Sequence, residues 1–228
     1  MSITERFESV KQNIPGNVLL IAVTKTHPVE LIQSSYDYGY RHFGENKVQE
    51  LIAKKEALPD DIVWHMIGHL QSNKVKLIAP FVGLIHGVDS LKLLKTIDKE
   101  GKKNHRVIPC LLQIHIAEEQ TKFGFSPDEI RALFETHPLK EFENIEIRGL
   151  MGMATFTEDK NQVRREFKIL KTIFEELKQT WFLNTPYFKE LSMGMSDDYQ
   201  VAIEEGSTMV RVGSALFGER DYLSGQGK

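Results

Sequence analysis

A lysine that could do covalent chemistry stands at the end of an apolar run. Residues 18–23 are Val-Leu-Leu-Ile-Ala-Val, and Thr24, Lys25 and Thr26 follow them. Such a run is typical of a strand buried on both faces, so the stem of Lys25 lies in an apolar setting. Burial there lowers the pKa of the amine, and a neutral amine can form a Schiff base with an aldehyde or ketone. The alternative, on this segment alone, is a lysine that ends a strand and extends its charge into water.

Two segments of small residues near the C-terminus could bind a phosphate. Residues 192–196 are Ser-Met-Gly-Met-Ser, and residues 211–214 are Arg-Val-Gly-Ser. Glycine lets the backbone approach an anion, the Ser196 and Ser214 hydroxyls can donate, and a helix N-terminus adds partial positive charge. A capping serine and a turn glycine would explain each segment separately. Their occurrence together, after the last two predicted strands, makes a phosphate site an equal alternative to those separate roles.

An aldehyde-trapping lysine and a phosphate site suggest two types of ligand. One is a sugar phosphate in a Schiff-base aldolase, and the other is pyridoxal phosphate (PLP), which carries both an aldehyde and a phosphate. Arg211 bears on the choice, because PLP enzymes tune the ring through an Asp or Arg at the pyridine nitrogen. An arginine can only donate to that nitrogen, which leaves it unprotonated and a weak electron sink. An ordinary ion pair is the alternative role for Arg211.

Strand-like and helix-like segments alternate along the chain. After an opening helix over 4–13, the pattern predicts strands at 19–24, 41–43, 63–67, 84–88, 107–116, 145–151, 190–193 and 209–212. It predicts helices from 28, over 46–57, 71–78, 91–103, from 127, and over 160–180 and 197–205. Parallel strands joined by right-handed helical crossovers close, at eight units, into a barrel.

The predicted fold class is therefore α/β: a single (β/α)8 TIM barrel with an extra N-terminal helix, spanning residues 1–228 as one domain. An open doubly wound sheet is the alternative. No Gly-x-Gly-x-x-Gly follows the first strand, where a dinucleotide-binding fold usually carries it.

The composition bears on several classes of function. The 228 residues are 41% hydrophobic and 27% charged, and the net charge of -3 does not suggest broad binding to nucleic acid or acidic membranes. The apolar runs are too short to span a bilayer, and the N-terminus lacks a signal-peptide core. The single cysteine, Cys110, can form no intrachain disulfide. We expect a cytoplasmic protein without a metal site and without nucleic-acid or membrane partners.

Five motifs, taken together, resemble a known family. They lie at residues 22–26 (Ala-Val-Thr-Lys-Thr), 43–50 (Phe-Gly-Glu-Asn-Lys-Val-Gln-Glu), 64–74, 191–198 and 206–218. In this order, over nearly the whole chain, the sequence resembles the YggS/PROSC family of pyridoxal phosphate homeostasis proteins. That family has the barrel fold of the N-terminal domain of alanine racemases.

The resemblance implies a cofactor and a set of site residues. It implies that Lys25 carries PLP as a Schiff base and that Arg211 lies at the pyridine nitrogen. It also implies that Asn46 lies near the ring, and that the phosphate is bound by Ser196, Gly213 and Ser214, with Ser192 nearby. His65 and residues 68–71 match family positions at the mouth to which no role is assigned.

One position departs from the family pattern. The family usually has Gln-Val-Asn after the fifth strand, whereas this chain has Gln113, Ile114 and His115. Histidine is bulkier and titrates near neutral pH, so the role of the asparagine is not carried over.

Three functions are compatible with these residues: a carrier that holds, buffers or delivers PLP, a PLP-dependent racemase-like enzyme, and a Schiff-base aldolase. Racemisation needs an acid or base on each face of the ligand, and barrel racemases supply the second, a tyrosine, from a C-terminal β domain. The sequence ends soon after the eighth strand, so we expect no such domain and no catalytic residues. Aldolase lysines usually stand later in the barrel, and an aldolase leaves Arg211 without a role. We expect a monomeric PLP homeostasis protein with at most weak side activity, and apo PLP enzymes as candidate partners.

Overall fold

Eight parallel strands form a closed barrel in the computed structural model, which describes residues 2–118 and 123–218. Each strand pairs with the next along the chain, and the eighth pairs with the first. The strands are β1 (Leu19–Val23), β2 (His42–Glu45), β3 (Val63–Met66), β4 (Leu84–Val88), β5 (Ile108–Gln113), β6 (Ile145–Met151), β7 (Glu190–Ser192) and β8 (Met209–Val212).

Helices connect the strands in the described part of the chain. They are α1 (Ile3–Lys11), α2 (Val29–Asp37), α3 (Val48–Ala57), α4 (Val75–Ile78), α5 (Leu91–Lys103), α6 (Pro127–Thr136), α7 (Lys160–Thr180), α8 (Tyr199–Glu204) and α9 (Ser214–Phe217), with 3-10 turns at Ser72–Lys74 and Leu139–Glu141. Since α1 precedes the first strand, the predicted (β/α)8 barrel with an extra N-terminal helix is confirmed. Among these helices none is long and apolar enough to cross a membrane.

Local chemistry explains where several elements begin. Ser126 and Glu129 form a capping box at the start of α6, with Pro127 in the first turn. Ser90 caps α5 by accepting a hydrogen bond from the backbone N–H of Leu93. Both caps directly precede helices that the sequence predicts.

Several elements are shorter than predicted, and for two of them the hydrogen bonds show the cause. Strand β5 ends at Gln113 rather than at 116, because the Gln113 carbonyl and the His115 N–H both bond to the backbone of Phe125. The chain therefore leaves the sheet and pairs with the segment that returns before α6. Helix α8 begins at Tyr199 rather than at 197, since the carboxylate of Asp198 accepts from the backbone N–H of Met195 and forms a turn ahead of the helix.

The barrel interior contains three histidines on neighbouring strands. His65 on β3 and His86 on β4 are buried, and His42 at the start of β2 is half-buried. Burial lowers the pKa of each one, that of His65 to about 3 and that of His86 well below its usual range. All three are therefore neutral at neutral pH in the folded protein.

We expect the neutral His65 to make stability depend on pH. The unfolded chain binds a proton at this residue below about pH 6.5, and the folded protein does so only below about pH 3. Unfolding thus takes up a proton between these values, and stability falls as the pH falls. Between about pH 7 and about pH 5, His65 alone should cost about 2 kcal/mol.

Chemical denaturation of His65→Gln across this range checks the prediction, because glutamine does not titrate. The variant should lose less stability than the parent on acidification. Ile85→Val, a buried change on β4, is the matched control: it should lower stability by about 1 kcal/mol at every pH and leave the slope unchanged. Equal slopes for His65→Gln and the parent would contradict the neutral state of His65.

Candidate functional site

A cavity of about 380 Å³ opens at the C-terminal ends of the strands. Six of the seven residues that the sequence assigns to a site line it: Lys25, Asn46, Ser196, Arg211, Gly213 and Ser214. The rest of its wall is largely apolar and includes Val23, Ile67, Phe123, Met153, Phe156 and Met195. A cavity of this size and lining is typical of a small-molecule site, for which volumes of about 300–1,000 Å³ are usual.

A sharp turn of the backbone follows Lys25. Lys25 stands two residues beyond β1 and is half-buried at the cavity wall. The next residue, Thr26, has a φ of 67°, in the left-handed region that few residues other than glycine adopt. Its backbone N–H donates to the carboxylate of Glu50 at 2.8 Å, which holds the turn in place. Strain of this kind is concentrated at functional sites, where surrounding contacts maintain it.

A buried ion pair fixes the backbone on the other side of Lys25. The Lys54 ammonium donates to the Thr24 carbonyl at 2.7 Å and to Glu45 Oε1 at 2.6 Å. Thr24 Oγ1 donates to the same carboxylate oxygen. Burial raises the pKa of Glu45, and the charge and hydrogen bond of Lys54 oppose that rise. Lys54 and the two glutamates thus fix the residues that flank Lys25.

The Arg211 guanidinium is buried at the base of the cavity. Its Nη1 donates to the carbonyl and hydroxyl oxygens of Ser192 at 2.8 and 2.6 Å, and its Nη2 donates to the Gly152 carbonyl at 3.0 Å. Burial lowers the pKa of Arg211 to about 10, so the group stays charged at neutral pH. A guanidinium has five N–H groups. Within the described residues three are bonded, which leaves Nε–H and one Nη2–H for an acceptor in the cavity.

The loops after β7 and β8 are joined beside the cavity. Ser196 Oγ accepts from the Gly213 N–H at 3.2 Å, and the Arg211 N–H donates to the Gly194 carbonyl at 3.0 Å. Gly194 has a φ of +95°, and a Cβ there would lie 2.6 Å from the Cβ of Ala202. The turn at residue 194 therefore requires glycine, and it brings Ser196 next to Gly213. Ser196, Gly213 and Ser214 together line this side of the cavity with hydroxyl and backbone groups.

Of the two remaining predicted residues, Asn46 lines the cavity and Ser192 does not. Asn46 lies against Gly68, where a Cβ would be only 2.4 Å from the Asn46 carbonyl oxygen, so the glycine lets the loops after β2 and β3 pack together. Ser192 is fully buried, does not line the cavity, and has its hydroxyl on Arg211 and His86. This placement favours a role behind the guanidinium over the expected position near a phosphate.

The cavity also contains residues that the sequence did not single out for a role. Gln113, the last residue of β5, lines it, whereas His115 lines a neighbouring depression. His69 lines it as well, with Nδ1 2.9 Å from the carboxylate of Asp89. Functional residues of such barrels lie at the C-terminal ends of the strands, but the fifth strand was predicted to end at residue 116 and ends at Gln113, so the sequence did not indicate Gln113. The His69–Asp89 contact joins two different loops, and no spacing in the sequence indicates it.

Among the described residues, no group of three or more His, Cys, Asp or Glu side chains could hold a metal ion. The chemistry of the site lies instead in an amine, a charged donor and a group of hydroxyl and backbone donors.

Comparisons with known proteins agree with this geometry. The family model described as alanine racemase, N-terminal domain, matches residues 1–221. A pyridoxal phosphate homeostasis protein from Aquifex aeolicus is 42% identical over 204 residues, which covers 89% of this chain and 87% of that protein. The human pyridoxal phosphate homeostasis protein is 41% identical over 214 residues, which covers 89% and 77%.

Solved structures show the same relationship. PipY from Synechococcus elongatus, in a structure with PLP bound, superposes with a TM-score of 0.85 at 38% identity, covering 95% of this chain and all of that one. An alanine racemase from Clostridium difficile shares the fold, with a TM-score of 0.79 at 15% identity, over 96% of this chain and 57% of that one. The chain therefore belongs to the family of pyridoxal phosphate homeostasis proteins, which have the barrel of the alanine racemase N-terminal domain.

We predict that the Glu45–Lys54 pair is required for the stability of the segment that carries Lys25. Lys54→Met should lower the free energy of unfolding by about 3–5 kcal/mol, because it leaves a buried carboxylate without its charge partner. Adding Glu45→Gln should recover much of this loss, since the remaining charge is then removed. Chemical denaturation of the two single variants and the double variant measures the coupling.

Lys55→Met is the matched control, because Lys55 pairs with the exposed Asp60. It should change stability by less than about 1 kcal/mol. A loss for Lys54→Met no greater than that of Lys55→Met would contradict the importance of the buried pair.

Proposed function

We propose that this protein holds PLP as a Schiff base on Lys25 and acts in intracellular PLP homeostasis, by buffering or delivering the cofactor, with little or no catalysis. The observation that carries the proposal is the convergence of Lys25, Arg211 and the Ser196–Gly213–Ser214 group on one cavity. PLP, when bound, supplies an aldehyde for covalent attachment and a ring that withdraws electrons.

The residues of the cavity match the chemistry of PLP. A lysine amine suits the aldehyde, and the hydroxyl and backbone donors around Gly213 suit the phosphate. The unused N–H groups of Arg211 suit an acceptor such as the pyridine nitrogen. Asn46 also lines the cavity, which supports the proposal that it contacts the ring.

The same site is poorly suited to carbanion chemistry. Arg211 stays protonated and can only donate, so a ring nitrogen paired with it stays unprotonated and withdraws electrons weakly. The mouth is lined by exposed apolar side chains: Phe123 is 52% exposed and Phe156 85%. An open mouth admits water to the ligand, and the lack of water exclusion disfavours efficient turnover.

We extend the proposal to organisation and location. We propose that residues 1–228 act as one domain and as a monomer in the cytoplasm, and that apo PLP enzymes accept the cofactor. The one thiol, that of Cys110, is buried, and burial raises its pKa to about 12. Such a thiol is inert, which suits a reducing compartment.

Borohydride trapping tests the anchor. The protein mixed with PLP should develop a visible absorption band, and reduction followed by peptide mass mapping should find the cofactor on Lys25. Lys25→Ala should lose the band and the labelled peptide. Lys47→Ala removes a neighbouring lysine that is 72% exposed and should behave like the parent. An unchanged visible band in Lys25→Ala would overturn the assignment.

A racemase-like activity is the second candidate, because His69 lines the cavity together with Lys25 and, with Asp89 as its partner, could act as a second base. Exchange of the α-proton of alanine in heavy water separates the two functions. The carrier proposal predicts exchange no faster than with free PLP. Exchange at an enzymatic rate that His69→Gln abolishes would establish the enzyme instead.

A further inference from the structure

The hydrogen bonds of Arg211 continue through the barrel in an unbroken series. Ser192 Oγ, which accepts from Arg211, lies 2.9 Å from Nδ1 of His86. Nε2 of His86 lies 3.0 Å from Nδ1 of His65, and Nε2 of His65 lies 3.1 Å from Nδ1 of His42. The series crosses from β8 and β7 to β4, β3 and β2, and it runs from the base of the cavity towards the opposite end of the barrel.

The donor and acceptor of each bond follow from Arg211. A guanidinium can only donate, so Ser192 Oγ accepts from it. The Ser192 hydroxyl hydrogen then has one described acceptor within reach, Nδ1 of His86. A neutral imidazole that accepts at Nδ1 carries its hydrogen on Nε2, so His86 donates to His65 and His65 donates to His42. All three histidines therefore have the same tautomer, with the proton on Nε2.

The opposite direction leaves a buried donor unpaired. If His86 donated from Nδ1 to Ser192, the serine oxygen would accept twice and its own hydrogen would have no acceptor among the described groups. An unpaired buried donor is costly, and Ser192 is fully buried. An N–H on that side of His86 would also point towards the positive charge of Arg211. Burial lowers the pKa of His65 and of His86, which agrees with a neutral series.

We propose that Ser192, His86, His65 and His42 are positioning residues for Arg211: they form a one-way hydrogen-bonded chain that holds the guanidinium with its free N–H edge available to the ring acceptor of the bound ligand. This inference rests on the proposed function for the identity of the ligand. The direction of the chain, however, is a property of the protein itself.

The hydrogen-bonded chain of Ser192 and the three histidines restricts how the Arg211 guanidinium can rotate. Nη1 donates two hydrogen bonds to Ser192, so Arg211 cannot turn that edge to the ligand unless Ser192 loses these bonds. Ser192 is in turn restrained by donating to His86, and each histidine is restrained by the next. A substitution that breaks these hydrogen bonds at His65 or His42 therefore loosens Arg211 without changing a residue of the cavity wall.

The first test uses the protein without ligand. In 15N-edited NMR of imidazole-labelled protein at neutral pH, His42, His65 and His86 should each be neutral with the proton on Nε2. A proton on Nδ1 of His65 or His86, or a cationic form of either, would overturn the direction of the chain. This test does not depend on PLP binding.

The second test compares two substitutions at His65, which does not line the cavity. Gln can accept from His86 and donate to His42, whereas Leu can do neither. His65→Leu should weaken PLP binding about tenfold, because a bond to a charged group is loosened, and should shift the visible band of bound PLP. His65→Gln should keep both properties within about twofold of the parent. Ser192→Ala, a smaller change, should repeat the effect of His65→Leu and replaces it if that variant does not fold.

The outcomes separate the two proposals. Parent protein with the predicted tautomers but no PLP binding would contradict the proposed function and leave the direction of the chain standing. Normal PLP binding with an unshifted band in both His65→Leu and Ser192→Ala would contradict the positioning role and leave the proposed function standing.

Discussion

A positive charge buried inside the barrel organises the cavity end of this protein. Arg211 is only 4% exposed, and a charge so placed must be surrounded by acceptors. The Gly152 carbonyl and both oxygens of Ser192 fulfil this requirement. The cost of burial thus explains why a serine lies inside β7 and why polar side chains continue behind it. The N–H groups of Arg211 that these acceptors do not bind remain at the base of the cavity, where they can donate to a ligand.

The second constraint is the backbone that holds Lys25. Lys25 leaves β1 through a strained turn at Thr26, and Lys54, Glu45 and Glu50 bond to the residues on either side. The lysine is therefore held by fixed neighbours, although its own side chain is half-buried at the cavity. Arg211 lies on β8 and Lys25 follows β1, and these two strands are paired. Closure of the barrel brings together two residues that are far apart in sequence.

Much of this arrangement could be predicted from the sequence. Buried parallel strands are continuous apolar runs, so the strands and their order were recognisable. The sequence motifs and the family resemblance together indicated six residues that share the cavity. The remaining contacts of the site depend on distances between strands and helices, and no local sequence pattern contains such distances. Ser192 was expected near a phosphate because it belongs to a small-residue segment, but its side chain faces inward from β7. Lys54 looks like a surface residue of α3, and its burial follows from how that helix packs. The contact of His86 with Ser192 joins opposite strands and depends on the barrel radius.

If Lys25 holds PLP as we propose, the ring nitrogen accepts a hydrogen bond from a charged Arg211 and stays unprotonated. The most direct test is 15N NMR of the protein loaded with PLP labelled at the ring nitrogen. We expect the resonance of an unprotonated, hydrogen-bonded pyridine, which Arg211→Gln should move. A pyridinium resonance in the parent protein would show instead that Arg211 does not keep the ring nitrogen unprotonated.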